Sequence, residues 1–189
     1  MLSYNELRPG EIVIVDGKPC EILEYAFLRM QQRKPVAKTK LRNLITGSVQ
    51  ERTFHQNESL EEAEIEKPEV KYLYNSRGQY WFNYAKDSSK RISMPEEKIG
   101  PAAIFLKPDL ALNVLVFKDE IIGIKLPIKA DYKVIEAPPA VKGNTAQGGT
   151  KTITIEGGAK INAPLFVNEG DIVKVHIENS TYVERVEKA

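Results

Sequence analysis

The sequence predicts an all-β protein built from three small barrels in tandem. Its apolar runs are short, several alternate with period two, and turn residues separate them at close intervals. The helix candidates are weak and short, at residues 58–64 and 95–100. Many short strands with regular turns are typical of small barrels. A chain of 189 residues accommodates one large domain or two to three small ones.

The first predicted strands form a hairpin that leads into a basic stretch. In EIVIVDGKPCEIL, Asp16-Gly17 lies between two apolar runs, which is a strong signal for a tight hairpin turn. The strand CEILEYAFL then enters RMQQRKPVAKTK, which contains no acidic residue, and VAKTKLRNL leaves it. Alternation on the outgoing strand predicts two opposite faces, Val36, Lys38 and Lys40 on one and Ala37, Thr39 and Leu41 on the other.

Later segments repeat this pattern of strand and turn. LITGSVQERTF contains a turn at Thr46-Gly47, and VKYLYNSRGQYWFNY is a second hairpin that turns near Ser76-Arg77-Gly78. KTITIEGG and DIVKVHIE alternate with period two. In the latter, the side chains predicted to face inward are those of Val173, Val175 and Ile177.

Composition indicates where the barrels begin and end. The acidic stretch NESLEEAEIEKPEV separates a first domain, residues 1–64, from a second, residues 65–127. A third domain, residues 128–189, begins near KLPIKADYKV. About 60 residues suffice for a five-stranded barrel but give marginal stability alone, so we expect packing between barrels to add stability.

Charge and cysteine content limit the possible classes of protein. Lys and Arg number 27 against 26 Asp and Glu, so any nucleic-acid contact must come from local patches. The single cysteine, Cys20, excludes an intramolecular disulfide and fits a reducing cytoplasm. No apolar run approaches the roughly 20 residues of a membrane helix. The segment MLSYNELRPGEIV lacks the basic and apolar regions of a secretory signal. We therefore expect a cytoplasmic protein without a membrane contact.

Residue patterns for catalysis, cofactor binding or metal binding are lacking in the sequence. His55 and His176 lie far apart and show no metal-ligand spacing, and Cys20 has no histidine nearby. The glycine-rich GNTAQGGT does not join a strand to a helix, as a phosphate-binding loop does. The sequence therefore predicts a binding protein, not an enzyme, with no catalytic residue, no cofactor and no metal.

The basic stretch has two interpretations. It is either a solvated loop, as most charge runs are, or a projecting arm that contacts RNA. Lys38, Lys40 and Arg42 alternate along one strand face, which suits contacts to successive phosphates. Strands of about eight residues, each rising about 3.3 Å, would place the tip about 25 Å from the base of such an arm.

Several separated segments resemble the bacterial elongation factor P family, in the right order along the whole chain. LRPGEIVIVDGKPCEILEY is similar to the opening strands of that family, and TKLRNLITGSVQERTF to the strand and turn after its hairpin tip. YLYNSRGQYWFNY resembles the start of its second barrel. VKGNTAQGGTKTITIEGGAKINAPLFVNEGDIVKVHIENSTYVERV resembles its third barrel and is the most specific match. The resemblance implies an SH3-like, KOW-type N-terminal barrel followed by two OB-fold barrels.

The resemblance also implies a function. Members of the family bind the 70S ribosome between the P and E sites and contact the P-site peptidyl-tRNA and ribosomal RNA. They promote peptide-bond formation when consecutive prolines stall translation. We expect this chain to act in the same way, as a monomer. One alternative is a paralogue with a shifted stall preference. Another is a general OB-fold protein that binds single-stranded RNA through aromatic and basic residues of YLYNSRGQYWFNYAK.

The resemblance places the hairpin tip at the acceptor end of the peptidyl-tRNA. The tip residues are Met30, Gln31, Gln32, Arg33 and Lys34. The family commonly has a Lys or Arg there, flanked by small residues and extended by lysylation, a related alkyl amine or rhamnosylation. A gapless count puts Gln32 at that position, and its amide nitrogen is not nucleophilic like an amine, so we predict an unmodified tip. A slip of one or two residues would bring Arg33 or Lys34 there instead.

Three further sets of RNA contacts follow from the resemblance. The residues expected to contact phosphates of tRNA or ribosomal RNA are Arg29, Lys38, Lys40 and Arg42. The loop Gly143-Asn144-Thr145 corresponds to a family loop near the E-site codon, and its alternative interpretation is an ordinary turn. Tyr182 and Arg185 correspond to a C-terminal Tyr-x-x-Arg near RNA, where an aromatic ring and a guanidinium suit stacking. A C-terminal strand can also hold both residues for packing alone.

Overall fold

A computed structural model describes residues 1–29, 34–139 and 149–189. Within these ranges it contains sixteen β-strands, one α-helical turn and one short 3-10 helix, so the predicted all-β class is confirmed. The chain forms two compact units, Met1–Pro68 with Val114–Gly123, and Glu69–Asn113 with Ile124–Ala189. The three domain ranges drawn from composition stay a prediction.

The first unit contains a four-stranded antiparallel sheet in the order β2-β3-β4-β5. Its strands are β2 (Ile12–Val15), β3 (Lys18–Leu28), β4 (Val36–Asn43) and β5 (Val49–His55), while β1 (Leu2–Ser3) pairs separately with β6 (Ser59–Leu60). Asp16 and Gly17 both have positive φ, at 52° and 75°, as a tight hairpin turn requires. The predicted faces of β4 are confirmed, because Ala37, Thr39 and Leu41 are buried.

The helix predicted at residues 58–64 is wrong. Leu60 pairs with Leu2 in the short ladder between β6 and β1. The backbone then continues along β2, where the Ile14 N–H donates to the Glu61 carbonyl at 2.8 Å and the Ala63 N–H to the Ile12 carbonyl at 2.9 Å. Unpaired backbone groups at a sheet edge need partners, and satisfying them outweighs the weak helix preference of this acidic segment.

Two five-stranded assemblies follow and share one strand order. The first contains β7 (Glu69–Ser76), β8 (Gln79–Tyr84), β9 (Asp87–Pro95), β10 (Ala111–Phe117) and β11 (Glu120–Lys125), in the order β11-β10-β7-β8-β9. The second is a closed barrel of β12 (Lys129–Glu136), β13 (Thr150–Ile155), β14 (Lys160–Pro164), β15 (Ile172–His176) and β16 (Thr181–Glu187), in the order β12-β13-β14-β16-β15. Numbered within each group, both follow 5-4-1-2-3, the Greek-key order of the OB fold.

The predicted details of these barrels are largely confirmed. The turn at Arg77-Gly78 has φ values of 52° and 74°, again both positive. Val173, Val175 and Ile177 are buried in the core of the closed barrel. The second helix candidate lies where the sequence placed it, as α1 (Glu96–Ile99) followed by a 3-10 helix (Gly100–Phe105).

The 3-10 helix joins the β7–β11 sheet to the closed barrel within the second unit. Phe105 belongs to the core cluster of the closed barrel. The buried Tyr132 hydroxyl on β12 donates a hydrogen bond to the Phe105 carbonyl at 2.9 Å. Lys107 Nζ lies 3.0 Å from Glu156 Oε1 and 5.3 Å from the Tyr132 ring centroid. Burial raises the pKa of Tyr132, which keeps its hydroxyl a hydrogen-bond donor.

Gly157 completes this contact, which we call the joint (residues 104–107, Tyr132, Glu156 and Gly157). Gly157 has a φ of 95°, in the left-handed region that disfavours a side chain. A Cβ atom there would lie 2.6 Å from the Ile104 carbonyl oxygen and 3.1 Å from that of Leu106. The joint therefore depends on a close approach of two backbones that only glycine permits.

Candidate nucleic-acid interface

We call β3, β4 and the tip between them the arm. Next to the tip, Leu28 pairs with Val36, and the ladder continues to Cys20 opposite Asn43. Strand β5 pairs with β4 over seven positions, from His55 opposite Val36 onward, so the arm is three-stranded along nearly all of β4. An isolated two-stranded hairpin is marginally stable in water, so pairing with β5 stabilises the arm.

The tip residues Met30, Gln31, Gln32 and Arg33 lie outside the described residues, as does the loop Gly143-Asn144-Thr145. Lys34, the last residue of the tip, is described and exposed, as is Arg29, which precedes the tip. The predicted roles of the tip and of the loop stay predictions.

The cations at the base of the arm are paired with carboxylates on β3. Lys40 Nζ lies 3.0 Å from Glu24 Oε1, and Arg42 Nη2 lies 2.5 Å from Glu21 Oε2. The hydrogen bond and charge of Glu24, with the charge of Glu51, raise the pKa of Lys40. The positive charge expected along the whole strand face is thus largely balanced near its base.

Towards the tip the cations have no such partners. Lys38 lies on the outer face opposite Ala26 on β3 and Thr53 on β5, where no carboxylate stands. Among the described residues, Arg29, Lys34 and Lys38 form no ion pair within 4.0 Å. Uncompensated positive charge therefore concentrates at the end of the arm, which is the arrangement that suits contact with a phosphate backbone.

The two carboxylates of these ion pairs are visible in the sequence of β3, but strand alternation does not predict that they share a face. Glu21 and Glu24 are three residues apart, so simple alternation puts them on opposite faces. A β-bulge between Ile22 and Glu24 adds one residue to β3, and both carboxylates then lie on the outer face beside β4.

A concave surface elsewhere in the first unit is strongly acidic. It is lined by Ile14, Ile65, Val116, Phe117 and Lys118 together with Glu61, Glu62, Glu64, Glu66 and Asp119. Carboxylates repel phosphate, so this side of the unit disfavours RNA. The first unit therefore has a charge polarity, with this acidic surface in one place and a group of three cations without ion pairs among the described residues at the end of the arm.

Tyr182 and Arg185 have clear packing roles in the closed barrel. Tyr182 packs against the buried core cluster. Arg185 Nη1 lies 3.3 Å from Asp171 Oδ2 and 3.3 Å from the Phe166 carbonyl oxygen, and its guanidinium lies 5.0 Å from the Phe166 ring centroid. Asp171 is 1% exposed and also accepts hydrogen bonds from the backbone N–H groups of Asn168 and Ala189. An RNA contact by Tyr182 and Arg185 stays a prediction.

We expect Asp171→Asn to destabilise the closed barrel at neutral pH. Burial alone raises the pKa of Asp171, but the hydrogen bonds from the Asn168 and Ala189 backbone and from Arg185 outweigh it, so the pKa lies below its usual range. A carboxylate with a lowered pKa stabilises the folded state above the unfolded pKa of about 3.9, and this contribution disappears as pH falls through the folded pKa.

Urea unfolding at pH 7 and at a series of pH values below 4 tests this expectation. Losing the charge-assisted bonds should cost about 1–3 kcal/mol at pH 7, and the difference from wild type should shrink in acid. Glu169→Gln, which neutralises the exposed neighbouring carboxylate, is the matched control and should change little. Equal effects of the two substitutions would show that the hydrogen bonds and the ion pair of the Asp171 carboxylate do not stabilise the barrel.

Within the part of the chain that the structure describes, no group of three or more His, Cys, Asp or Glu side chains is placed to hold a metal ion. Cys20 is a free, buried thiol, and burial raises its pKa. A helix with the length and apolarity to cross a membrane does not occur among the described residues.

Comparison with known proteins gives consistent matches along the chain. Residues 3–60 match the family model described as "Elongation factor P (EF-P) KOW-like domain", and residues 131–185 match "Elongation factor P, C-terminal". A protein named Elongation factor P from Desulforudis audaxviator is 35% identical over 185 residues, 98% of this chain and 100% of that protein. Proteins of the same name from Carboxydothermus hydrogenoformans and Thermodesulfovibrio yellowstonii are 36% and 35% identical, over 98% and 100% of this chain and the full length of each relative.

Proposed function

Because the chain belongs to the elongation factor P family, we propose that it binds the ribosome between the P and E sites and relieves proline-proline stalls. Membership confirms the resemblance found in the sequence and gives the broader role, a translation elongation factor that interacts with the ribosome and is not a classical enzyme. We also propose that the protein is cytoplasmic and contacts the P-site peptidyl-tRNA and ribosomal RNA.

The distribution of charge on the arm is the observation that carries this proposal. Lys40 and Arg42, nearer the base of the arm, are paired with carboxylates of β3. By contrast, Arg29, Lys34 and Lys38 at the end of the arm have no ion-pair partner among the described residues. A polyanion is therefore attracted to the end of the arm and not to its length. This suits an element that enters a narrow RNA-lined site tip first.

The proposed mechanism is one of positioning. Proline is a constrained and poor reactant, and holding the peptidyl-tRNA acceptor end in a reactive geometry lowers the entropic cost of alignment. In this proposal the three-stranded arm carries the tip to the acceptor end, while the ribosome supplies the chemistry. In this proposal the tip residues Met30, Gln31, Gln32, Arg33 and Lys34 contact the acceptor end.

A reconstituted translation reaction tests the proposal directly. Adding the protein should accelerate synthesis across a Pro-Pro-Pro codon run and leave a matched message without that run unchanged. If neither message responds while the protein still sediments with ribosomes, the stall-relief function is wrong and the broader role is untouched.

A shifted stall preference is the second candidate, and Gln32 at the counted tip position favours it. A neutral amide reaches less far than an extended Lys or Arg and offers different hydrogen bonds. A panel of stalling codon runs separates the candidates, because this alternative requires a run other than Pro-Pro-Pro to respond most.

We expect the cations beside the tip to supply more of the ribosome binding than those at the base of the arm. The double variant Lys34→Ala and Lys38→Ala removes two unpaired charges, so the slope of log affinity against log salt should fall by about 1.4–1.8. Equilibrium binding to 70S ribosomes carrying P-site tRNA, measured over a range of salt concentrations, gives this slope.

The matched control is Lys40→Ala with Glu24→Ala, which removes one cross-strand ion pair without changing the net charge. It should leave the slope nearly unchanged. A slope that falls in this control would show that Lys40 contacts a phosphate directly and that its pairing with Glu24 breaks on the ribosome.

A further inference from the structure

The β7–β11 sheet carries a stacked aromatic pair on its outer face. Tyr74 is 46% exposed, and its ring centroid lies 6.3 Å from that of Trp81 with an angle of 27° between the ring planes. Tyr74 and Trp81 are paired in the ladder between β7 and β8. By contrast, the neighbouring Tyr72 and Tyr80 are buried in the core. A cross-strand aromatic pair on the outer face adds little to sheet stability for two such large side chains.

The next cross-strand row on the same face is basic. Lys71 on β7 pairs with Asn83 on β8, which in turn pairs with Arg91 on β9. Lys71 and Arg91 are exposed and form no ion pair among the described residues. Asn83 Oδ1 is buried without a hydrogen-bond partner in the described part of the chain. The row thus offers two exposed cations that form no ion pair among the described residues.

Acidic residues lie beyond this row and not within it. Glu69 is two positions before Lys71 on β7, and Asp87 on β9 is already 3.7 Å from Lys90. On the other side of the aromatic pair, the turn between β7 and β8 presents the exposed Arg77 at a φ of 52°. Cations therefore flank the two rings at both ends.

The position of this face within the barrel adds a second argument. Strands β8 and β9 are the second and third strands of their five-stranded group, and Arg77 is in the loop between the first and second. In OB folds, the surface of strands 2 and 3 and the loop between strands 1 and 2 bind oligonucleotides. The likeness is an analogy of fold, but here the aromatic and basic side chains occupy that same place.

We propose that this aromatic-basic face binds unpaired RNA. Its residues are Lys71, Tyr74, Arg77, Trp81, Asn83 and Arg91. One base stacks on the Tyr74–Trp81 pair, and adjoining phosphates lie at Lys71 and Arg91. Rows two residues apart are separated by about 6.6 Å, a distance that the base and phosphate of one nucleotide span. The face is independent of the arm and goes beyond the function proposed above.

Trp81 is the only tryptophan in the chain, so its fluorescence reports on this face alone. The full-length protein is titrated with single-stranded oligouridylate at low salt. We expect saturable quenching with a dissociation constant in the range of about 10⁻⁶–10⁻⁴ M, weakening as salt rises. Tyr74→Ala should weaken binding roughly fivefold or more, since stacking on one aromatic ring is worth about 1–3 kcal/mol per base.

Two matched controls separate stacking and local charge from general effects. Tyr74→Phe keeps the ring and should bind as wild type does. Lys71→Ala with Arg91→Ala should lower the salt slope by about 1.4, whereas Lys160→Ala with Lys188→Ala removes the same charge from the closed barrel and should not. The arm variant Lys34→Ala and Lys38→Ala should leave the quenching unchanged, which distinguishes this proposal from the proposed function.

Three results would overturn the proposal. Absence of quenching at oligouridylate concentrations well above the expected dissociation constant would show that this face does not bind unpaired RNA. The two rings would then serve only to stabilise the sheet or to contact a protein. Quenching that survives Tyr74→Ala would exclude stacking on this pair. An equal fall of the salt slope in the Lys71→Ala with Arg91→Ala variant and in the Lys160→Ala with Lys188→Ala variant would show that net charge, and not this face, holds the RNA.

Discussion

Gly157→Ala should lower the free energy of unfolding of the second unit by about 3 kcal/mol. A side chain at a φ of 95° is strained by about 1–3 kcal/mol. The added methyl group would also lie 2.6 Å from the Ile104 carbonyl oxygen, and overpacking of this kind costs about 1–3 kcal/mol. The atoms that the new Cβ would meet are backbone carbonyl atoms, so no flexible side chain can move aside. Urea unfolding followed by circular dichroism gives the change.

The next residue provides the control for this substitution. Gly158 has a φ of 98°, and a Cβ atom there would meet nothing within 4 Å. Gly158→Ala therefore carries the same backbone strain without the steric contact. The difference between the two variants measures the close approach at the joint. Equal destabilisation by both would mean that the joint contributes nothing beyond the turn itself.

Substitutions at the tip should lower the rate of proline-proline bond formation more than the affinity for the ribosome. Gln32→Ala and Arg33→Ala each remove a group proposed to order the acceptor end, and a hydrogen bond worth about 0.5–1.5 kcal/mol corresponds to a two- to tenfold loss of rate. An interaction made mainly in the transition state reduces the maximal rate, whereas uniform binding changes only the concentration required.

Single-turnover synthesis across Pro-Pro-Pro at saturating factor measures this effect. Arg29→Ala with Lys38→Ala is the matched comparison, since both cations lie outside the tip and should contribute to binding while leaving the saturated rate closer to wild type. Wild-type rates in both tip variants would move the active group to Lys34 or to the backbone of the arm.

Intact mass of the protein from its own host should show no adduct, and an added mass on Arg33 or Lys34 would contradict the gapless count.

Local features of the fold were predictable because neighbouring residues determine them. The turn at Asp16-Gly17 and the alternation of Ala37, Thr39 and Leu41 follow from positive φ and from the two-residue period of a strand. The pairing of Glu21 and Glu24 with β4 was not predictable, because a single bulged residue reverses the face of everything beyond it.

Contacts between distant segments were equally hidden. Nothing near Tyr132 in the sequence indicates that its hydroxyl meets the Phe105 carbonyl, since the partner is 27 residues away and at the end of the 3-10 helix. The helix expected at residues 58–64 failed for a related reason. Its weak local preference was outweighed by open backbone groups on β2, contributed by Ile12 and Ile14. The sequence therefore predicts which cations lie on the arm, but it does not predict which of them are neutralised by carboxylates.

The joint has a consequence for the order in which the nascent chain can mature. Phe105 emerges during synthesis well before Ile177, the last core residue of the barrel that receives its ring. At about 5–20 residues per second, the intervening segment takes roughly 4–14 s to make. Tyr132, the partner of the Phe105 carbonyl, is made early in that interval, but the core around the aromatic ring is complete only at its end. A newborn copy of this translation factor therefore passes through a stage in which it is a natural client for chaperones that hold exposed apolar segments.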